Sequence, residues 1–125
     1  MPRTINHCTL EAAGGTWDAI RVPHSVGLVA MRVLGDRSGA VLQDRHELAL
    51  YWFVAGGSAA GWDVPNTRAL GADSHLVMPP RRRTQGPGPH WRICPGEDKW
   101  LTDAPALRAA IEDALGPAMV KECGR

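Results

Sequence analysis

Leu48-Ala49-Leu50-Tyr51-Trp52-Phe53-Val54-Ala55 is the most apolar run of the chain. Eight residues suit a strand better than a core helix, the run is rich in aromatic side chains, and Gly56-Gly57 stops it. These features predict a central strand buried on both faces. Just upstream, Gly39-Ala40-Val41-Leu42-Gln43-Asp44 reads as a second strand, and Arg45-His46 as the polar turn that folds the two into a β-hairpin.

Working outward from this hairpin, Thr16-Trp17-Asp18-Ala19-Ile20-Arg21-Val22 alternates large apolar with polar positions and ends at Pro23, the pattern of a strand. Ser25 is placed to cap a helix from about Val26. Val26, Val29, Ala30, Val33 and Leu34 recur at helical spacing, and Gly35 supplies a left-handed stop. Gly27 weakens that helix. Residues 1–15, closing on Gly14-Gly15, read as an irregular arm.

Downstream, Ser58 to Gly71 reads as a connection that Trp62 and Val64 pin to the core. Ser74-His75-Leu76-Val77-Met78 is a short strand ended by Pro79-Pro80, and Arg81 to Pro89 is a loop. His90-Trp91-Arg92-Ile93-Cys94 is a last strand, stopped by Pro95-Gly96 and expected to pair with the strand before the loop. Thr102 or Asp103 caps a final helix with Pro105 in its first turn. Leu107, Ala110, Ile111, Ala114 and Leu115 form its apolar face, and Gly116-Pro117 ends it. The order β-α-β-β-β-β-α predicts an α+β fold: a mostly antiparallel sheet of four to five strands with two helices on one face. A single domain over 16–117, with 118–125 as a tail, follows.

Composition bounds the function. The 125 residues are 44% hydrophobic and 22% charged, which suits one globular core and excludes a disordered chain. No run is apolar enough to span a membrane, and the first residues lack an apolar signal core, so a cytoplasmic protein without membrane partners is expected. Three cysteines without CxxC spacing argue against a disulfide framework. The Ala, Gly, Arg and Trp richness resembles high-GC bacterial, in particular actinobacterial, usage. A net charge of +1 means that any nucleic-acid role rests on a local patch.

One such patch stands out. Pro79-Pro80-Arg81-Arg82-Arg83-Thr84-Gln85-Gly86-Pro87-Gly88-Pro89-His90-Trp91 sets three adjacent arginines between stiff prolines, with an aromatic exit. Guanidinium forks match phosphate geometry, and basic-plus-aromatic surfaces suit single strands. The plain alternative is a solvated charged turn. Other chemistry is thinly marked. The five histidines show no metal-ligand spacing, although His75, His90 and Cys94 would approach one another on paired strands. Early strands carry no D-x-D or D-x-E, and Gly56-Gly57-Ser58 lacks the nucleophile elbow. No metal or cofactor is expected. Of the five tryptophans most are expected in the core, one or two at a surface.

The stretch from Leu48 to Arg92 resembles the second half of the archaeo-eukaryotic primase superfamily domain, in its bacterial bifunctional primase–polymerase branch. The likeness rests on the aromatic strand Leu50-Tyr51-Trp52-Phe53, a connection ending near Arg68-Ala69-Leu70-Gly71, a strand into Pro79-Pro80, then Gly86-Pro87-Gly88-Pro89-His90-Trp91. The family's acid pair, its His beside the aromatic strand and its later Asp have no counterpart here. Ala49 and Leu50 stand where the His belongs, and Asn66-Thr67 where the acid belongs. The resemblance therefore implies nucleotide or nucleic-acid binding without polymerase activity. The chain also resembles small actinobacterial proteins that open on W-D-x-x-R-V-P (Trp17 to Pro23) and close on W-L-T-D-x-x-A-L-R-A-A (Trp100 to Ala110), a likeness that implies no activity.

Three functional expectations follow. The first is a non-catalytic domain that binds DNA, RNA or another phosphate-bearing ligand, with Arg81, Arg82, Arg83, His90 and Arg92 on phosphates and Trp91 stacking. The second is an interaction or regulatory module that buries Trp62, Trp100 or an exposed sheet edge against a second copy of itself, as a homodimer, or against a protein partner. The third is a small enzyme using His75, His90 and Asp73.

Overall fold

The computed structural model describes residues 4–5, 8–44, 48–72, 74–85, 88–96 and 100–124, with side chains from 10 to 116 of that set. Eight strands and two helices follow in chain order. They are β1 (Thr4–Ile5), β2 (Cys8–Ala12), β3 (Trp17–Pro23), α1 (His24–Leu34), β4 (Val41–Asp44), β5 (Ala49–Ala55), β6 (Arg68–Leu70), β7 (His75–Met78), β8 (His90–Ile93) and α2 (Ala104–Gly124), with a single 3₁₀ turn at Gly35–Arg37. The fold is α+β. The main sheet has the order β6-β3-β5-β4-β8, and every pairing in it is antiparallel.

The apolar run 48–55 takes the middle of this sheet as β5, and its residues from Ala49 to Val54 are all buried. Alternation splits it between two cores. Leu50, Trp52 and Val54 join Ile20, Val22 and Val41 beneath the helices, which supply Ala30, Leu34, Leu107, Ala110 and Ile111. Ala49, Tyr51 and Phe53 face the other way, onto Ala13 just after β2, onto Leu76 of β7, and onto Trp17, Leu42 and Trp91.

Both helices pack on one face, as expected. Asp103 is the cap of α2, its Oδ2 accepting the Ala106 N–H at 3.1 Å. Thr102 serves elsewhere: its Oγ1 accepts the buried Gly39 N–H at 2.8 Å. Gly116 breaks the helix with φ of 88°, but a further helical piece follows to Gly124 where a tail was expected. In α1 the buried face is turned from the expected one, with Gly27, Ala30 and Leu34 innermost and Val33 37% exposed. Gly27 is the reason for the turn. A Cβ there would lie 2.6 Å from Leu50 Cδ1, so its hydrogen side chain lets α1 settle onto β5.

Three expectations give way. The first fifteen residues are not an irregular arm, because Cys8–Ala12 forms β2 and pairs with β7 in a three-stranded sheet of order β1-β2-β7. The connection after β5 contains β6, an edge strand on β3. The strands flanking the arginine run do not pair with each other: β7 joins β2 and β8 joins β4. The arginine stretch is thus a crossover between two sheets, not a hairpin tip. Pairing β7 with β2 lets Leu76 cover the aromatic face of β5, burial that a hairpin with β8 would not provide.

Candidate phosphate-binding site

The crossover is shaped by its first residues. Pro79 is buried and Pro80 half-buried, so the chain leaves β7 on a fixed course. The Arg83 N–H donates to the Pro80 carbonyl at 3.0 Å, closing a turn whose central residues are Arg81 and Arg82. Central turn residues project outward, and both arginines are exposed. The same Pro80 carbonyl accepts the Trp91 indole N–H at 3.0 Å, and the Trp91 backbone N–H donates to the Arg83 carbonyl at 2.7 Å. The turn is therefore fastened from inside at both ends.

Trp91 does this fastening from the core. It is 4% exposed and lies tilted against Phe53, with centroids 5.7 Å apart. It offers no face to a nucleobase, so the stacking role expected of it does not fit. The register explains why: β8 pairs β4 with Trp91 opposite Leu42, which carries the indole into the layer between the sheets. His90 is 7% exposed and its Nδ1 is bonded to the Gly88 carbonyl at 3.1 Å, so it too is withdrawn from the surface. Arg92 projects to the other side of the sheet from Trp91, where its Nη1 donates to Gln43 Oε1 at 3.2 Å. Arg83 is half-buried and has a contact of its own. Of the six expected residues, the structure keeps Arg81 and Arg82 side by side at the surface.

The aromatic partner comes from elsewhere. Arg81 Nη2 donates to the Pro95 carbonyl at 3.4 Å, and Arg81, Pro95, Gly96 and Trp100 line an open cleft of about 420 Å³. Trp100 is half-buried, its ring edge-on to Trp17 at 6.4 Å and tilted to Phe53 at 5.7 Å. Its backbone is held as well, for its carbonyl accepts the Ala40 N–H at 3.0 Å. The cleft thus combines a tethered guanidinium, with donors to spare, and a tryptophan whose ring is packed against Trp17 and Phe53. Among the described residues no carboxylate lines it. In the sequence Trp100 carried no such signal. It stands near a helix start, and only the fold brings it beside a turn nineteen positions earlier.

The remaining expected groupings do not assemble. His75 is exposed on β7, whereas His90 is buried on β8 in the other sheet. Asp73 lies outside the described residues. Cys94 is an exposed free thiol, and no group of three His, Cys, Asp or Glu side chains is placed to hold a metal ion among the described residues. No helix among the described residues is long and apolar enough to cross a membrane. No family model, curated protein or solved structure matches the chain.

Proposed function

We propose that the domain is a non-catalytic binder of phosphate-bearing ligands, with single-stranded nucleic acid the class that suits the site best. Arg81 and Arg82 hold phosphates, and Trp100, in place of Trp91, presents an aromatic surface to a base. The observation that carries this reading is the Arg81–Trp100 cleft: a guanidinium tethered to the Pro95 carbonyl in an open cleft that Trp100 also lines. Small-ligand pockets run from about 300 to 1,000 Å³, so a cleft of this size takes one nucleotide or the end of a strand. The resemblance to a primase–polymerase domain without its acids is consistent with binding in the absence of phosphoryl transfer.

The test is anisotropy of a labelled single-stranded DNA at several salt concentrations. Arg81→Ala/Arg82→Ala removes two phosphate contacts and lowers the slope of log affinity against log salt by about 1.4. Trp100→Ala weakens binding with the slope unchanged. Equal binding by the parent chain and the double variant ends the proposal.

A second reading, as a homodimer or partner-binding module, is favoured by one observation. Leu10 and Val77 are cross-strand partners on the outer face of the second sheet, 42% and 40% exposed. Sedimentation that returns a monomer at all concentrations removes the homodimer form of that reading.

A further inference from the structure

Asp18, on β3, is a buried acid, 1% exposed. It projects to the helix face of the main sheet with its cross-strand partner Val54. Its Oδ2 accepts the Gly57 N–H at 2.9 Å and the Ala59 N–H at 2.8 Å, so the 56–61 loop is wrapped around one oxygen. Its Oδ1 is buried too and has no hydrogen-bond partner among the described residues. The arginines of the neighbouring strands project away from it: Arg21 and its partner Arg68 share the opposite face with Tyr51. On the β6 side the next residue is a glycine. Ala19 pairs with Leu70, so Gly71 follows into the row of Asp18. The φ of Gly71 lies outside the left-handed region, so the backbone does not require glycine there. A Cβ at this position would lie 3.8 Å from both carboxylate oxygens and 3.2 Å from the Ala59 Cβ. Glycine therefore keeps a side chain out of the space beside the carboxylate.

We infer that Asp18 Oδ1 binds a monovalent cation, of sodium or potassium size, between the 56–61 loop and Gly71. A carboxylate taken out of water is costly unless its charge is paired. The two N–H groups on Oδ2 are neutral donors, and they leave Oδ1 with its full capacity as an acceptor. An alkali ion supplies the missing positive charge and takes oxygen ligands, with water completing its shell. One carboxylate balances one charge, and no group of three His, Cys, Asp or Glu side chains is placed to hold a metal ion among the described residues. The cover over the site is thin. Ser58, Ala59 and Gly71 are half-buried, and Gly57 and Ala60 are exposed, so a bare ion has a short way in past small residues. Bound there, the ion fastens the loop after β5 to β3 through the carboxylate that already holds it from the other side. Neither Asp18 nor Gly71 belongs to the Arg81 cleft, and this site is independent of the phosphate-binding reading.

The experiment follows the thermal unfolding midpoint of the full chain by tryptophan fluorescence while choline chloride is exchanged for sodium or potassium chloride at constant ionic strength. A saturable rise is expected, about 5 °C at about 150 mM for a site half-filled at about 10 mM. Sodium NMR line broadening by the folded parent chain reads the binding directly. Asp18→Asn keeps an oxygen for the Gly57 and Ala59 N–H groups but turns an NH2 toward the ion. The cation response is lost in this variant while amide exchange at Gly57 and Ala59 stays slow. Gly71→Ala sets a methyl group over the carboxylate and removes the response in the same way. Arg81→Ala/Arg82→Ala leaves it intact, so this site and the cleft stand or fall separately. A midpoint and a sodium line that do not distinguish the two alkali ions from choline overturn the inference and leave Oδ1 to a water molecule. A response that survives unchanged in both Asp18→Asn and Gly71→Ala overturns it as well.

Discussion

Gly39→Ala should damage both the fold and the cleft, and its cost can be worked from the contacts. A Cβ at residue 39 would lie 2.6 Å from the Trp100 carbonyl oxygen, 2.8 Å from the Trp100 carbonyl carbon and 2.9 Å from that of Leu101. These are backbone atoms and cannot rotate aside. Reaching the ordinary contact of 3.4 Å requires the 100–102 segment to withdraw by about 0.8 Å. Three hydrogen bonds resist: Gly39 N–H to Thr102 Oγ1 at 2.8 Å, Ala40 N–H to the Trp100 carbonyl at 3.0 Å and Thr102 N–H to the Phe53 carbonyl at 2.7 Å. Each contributes about 1 kcal/mol. Overpacking adds about 1–3 kcal/mol, partly relieved as the bonds stretch, for a total of about 2–4 kcal/mol. Urea unfolding followed by tryptophan fluorescence is the assay. With a slope of about 1–3 kcal/mol per molar, the midpoint falls by about 1–2 M. The Trp100 indole moves with its backbone, so ligand affinity at the cleft drops in conditions where the variant is still folded. A midpoint within ~0.2 M of the parent value would refute the packing argument.

Four further outcomes are expected. Gly27→Ala gains about 1 kcal/mol of helix propensity but drives a methyl to 2.6 Å from Leu50 Cδ1 in a closed core; urea unfolding should show a net loss of about 1 kcal/mol, and a more stable variant would contradict the packing. Asp18→Ala leaves the Gly57 and Ala59 N–H groups without the Oδ2 they share at 2.9 and 2.8 Å; a loss of about 2–4 kcal/mol and faster amide exchange at both residues are expected, and unchanged exchange would count against the loop being held there. Trp91→Phe removes the indole N–H that the Pro80 and Pro79 carbonyls share at 3.0 and 3.4 Å and costs about 1 kcal/mol by unfolding, with nucleic-acid affinity retained, since Trp91 is buried away from the proposed cleft. Thr102→Val strips the acceptor from the Gly39 N–H and costs about 1–3 kcal/mol in the same assay.

Elements whose signals are local were legible. β5 announced itself by eight apolar residues and a glycine stop, and α2 by Asp103, Pro105 and the Leu107-Ala110-Ile111 spacing. What escaped is what depends on distant partners. β2 has an unremarkable polar–apolar pattern, and it becomes a strand because β7 lies alongside it. β6 has only three residues, too short for periodicity to register. Neighbouring strands pair more often than not, so local sequence favours a hairpin of β7 with β8; the aromatic face of β5, which needs a cover, outweighs that preference. The hairpin expectation is also what places Trp91 at the surface. Of the arginine run, the exposure of Arg81 and Arg82 followed from adjacency between prolines, whereas the Pro95 tether and the Trp100 wall are products of the tertiary fold.

The pairing of β2 with β7 also sets an order in time. Ala12 and His75 are partners although more than sixty residues separate them along the chain. Closing so long a loop carries a large entropy cost before any contact rewards it. The partners in the β3-β5-β4 core lie closer along the chain, at most 38 residues apart, so this core is expected to form first and the second sheet to dock last. Until it does, the Tyr51 and Phe53 face stands open to solvent. Refolding in dilute solution is expected to show a late step that quenched-flow exchange detects in β2 and β7 together, and crowding of chains during that interval is where aggregation competes.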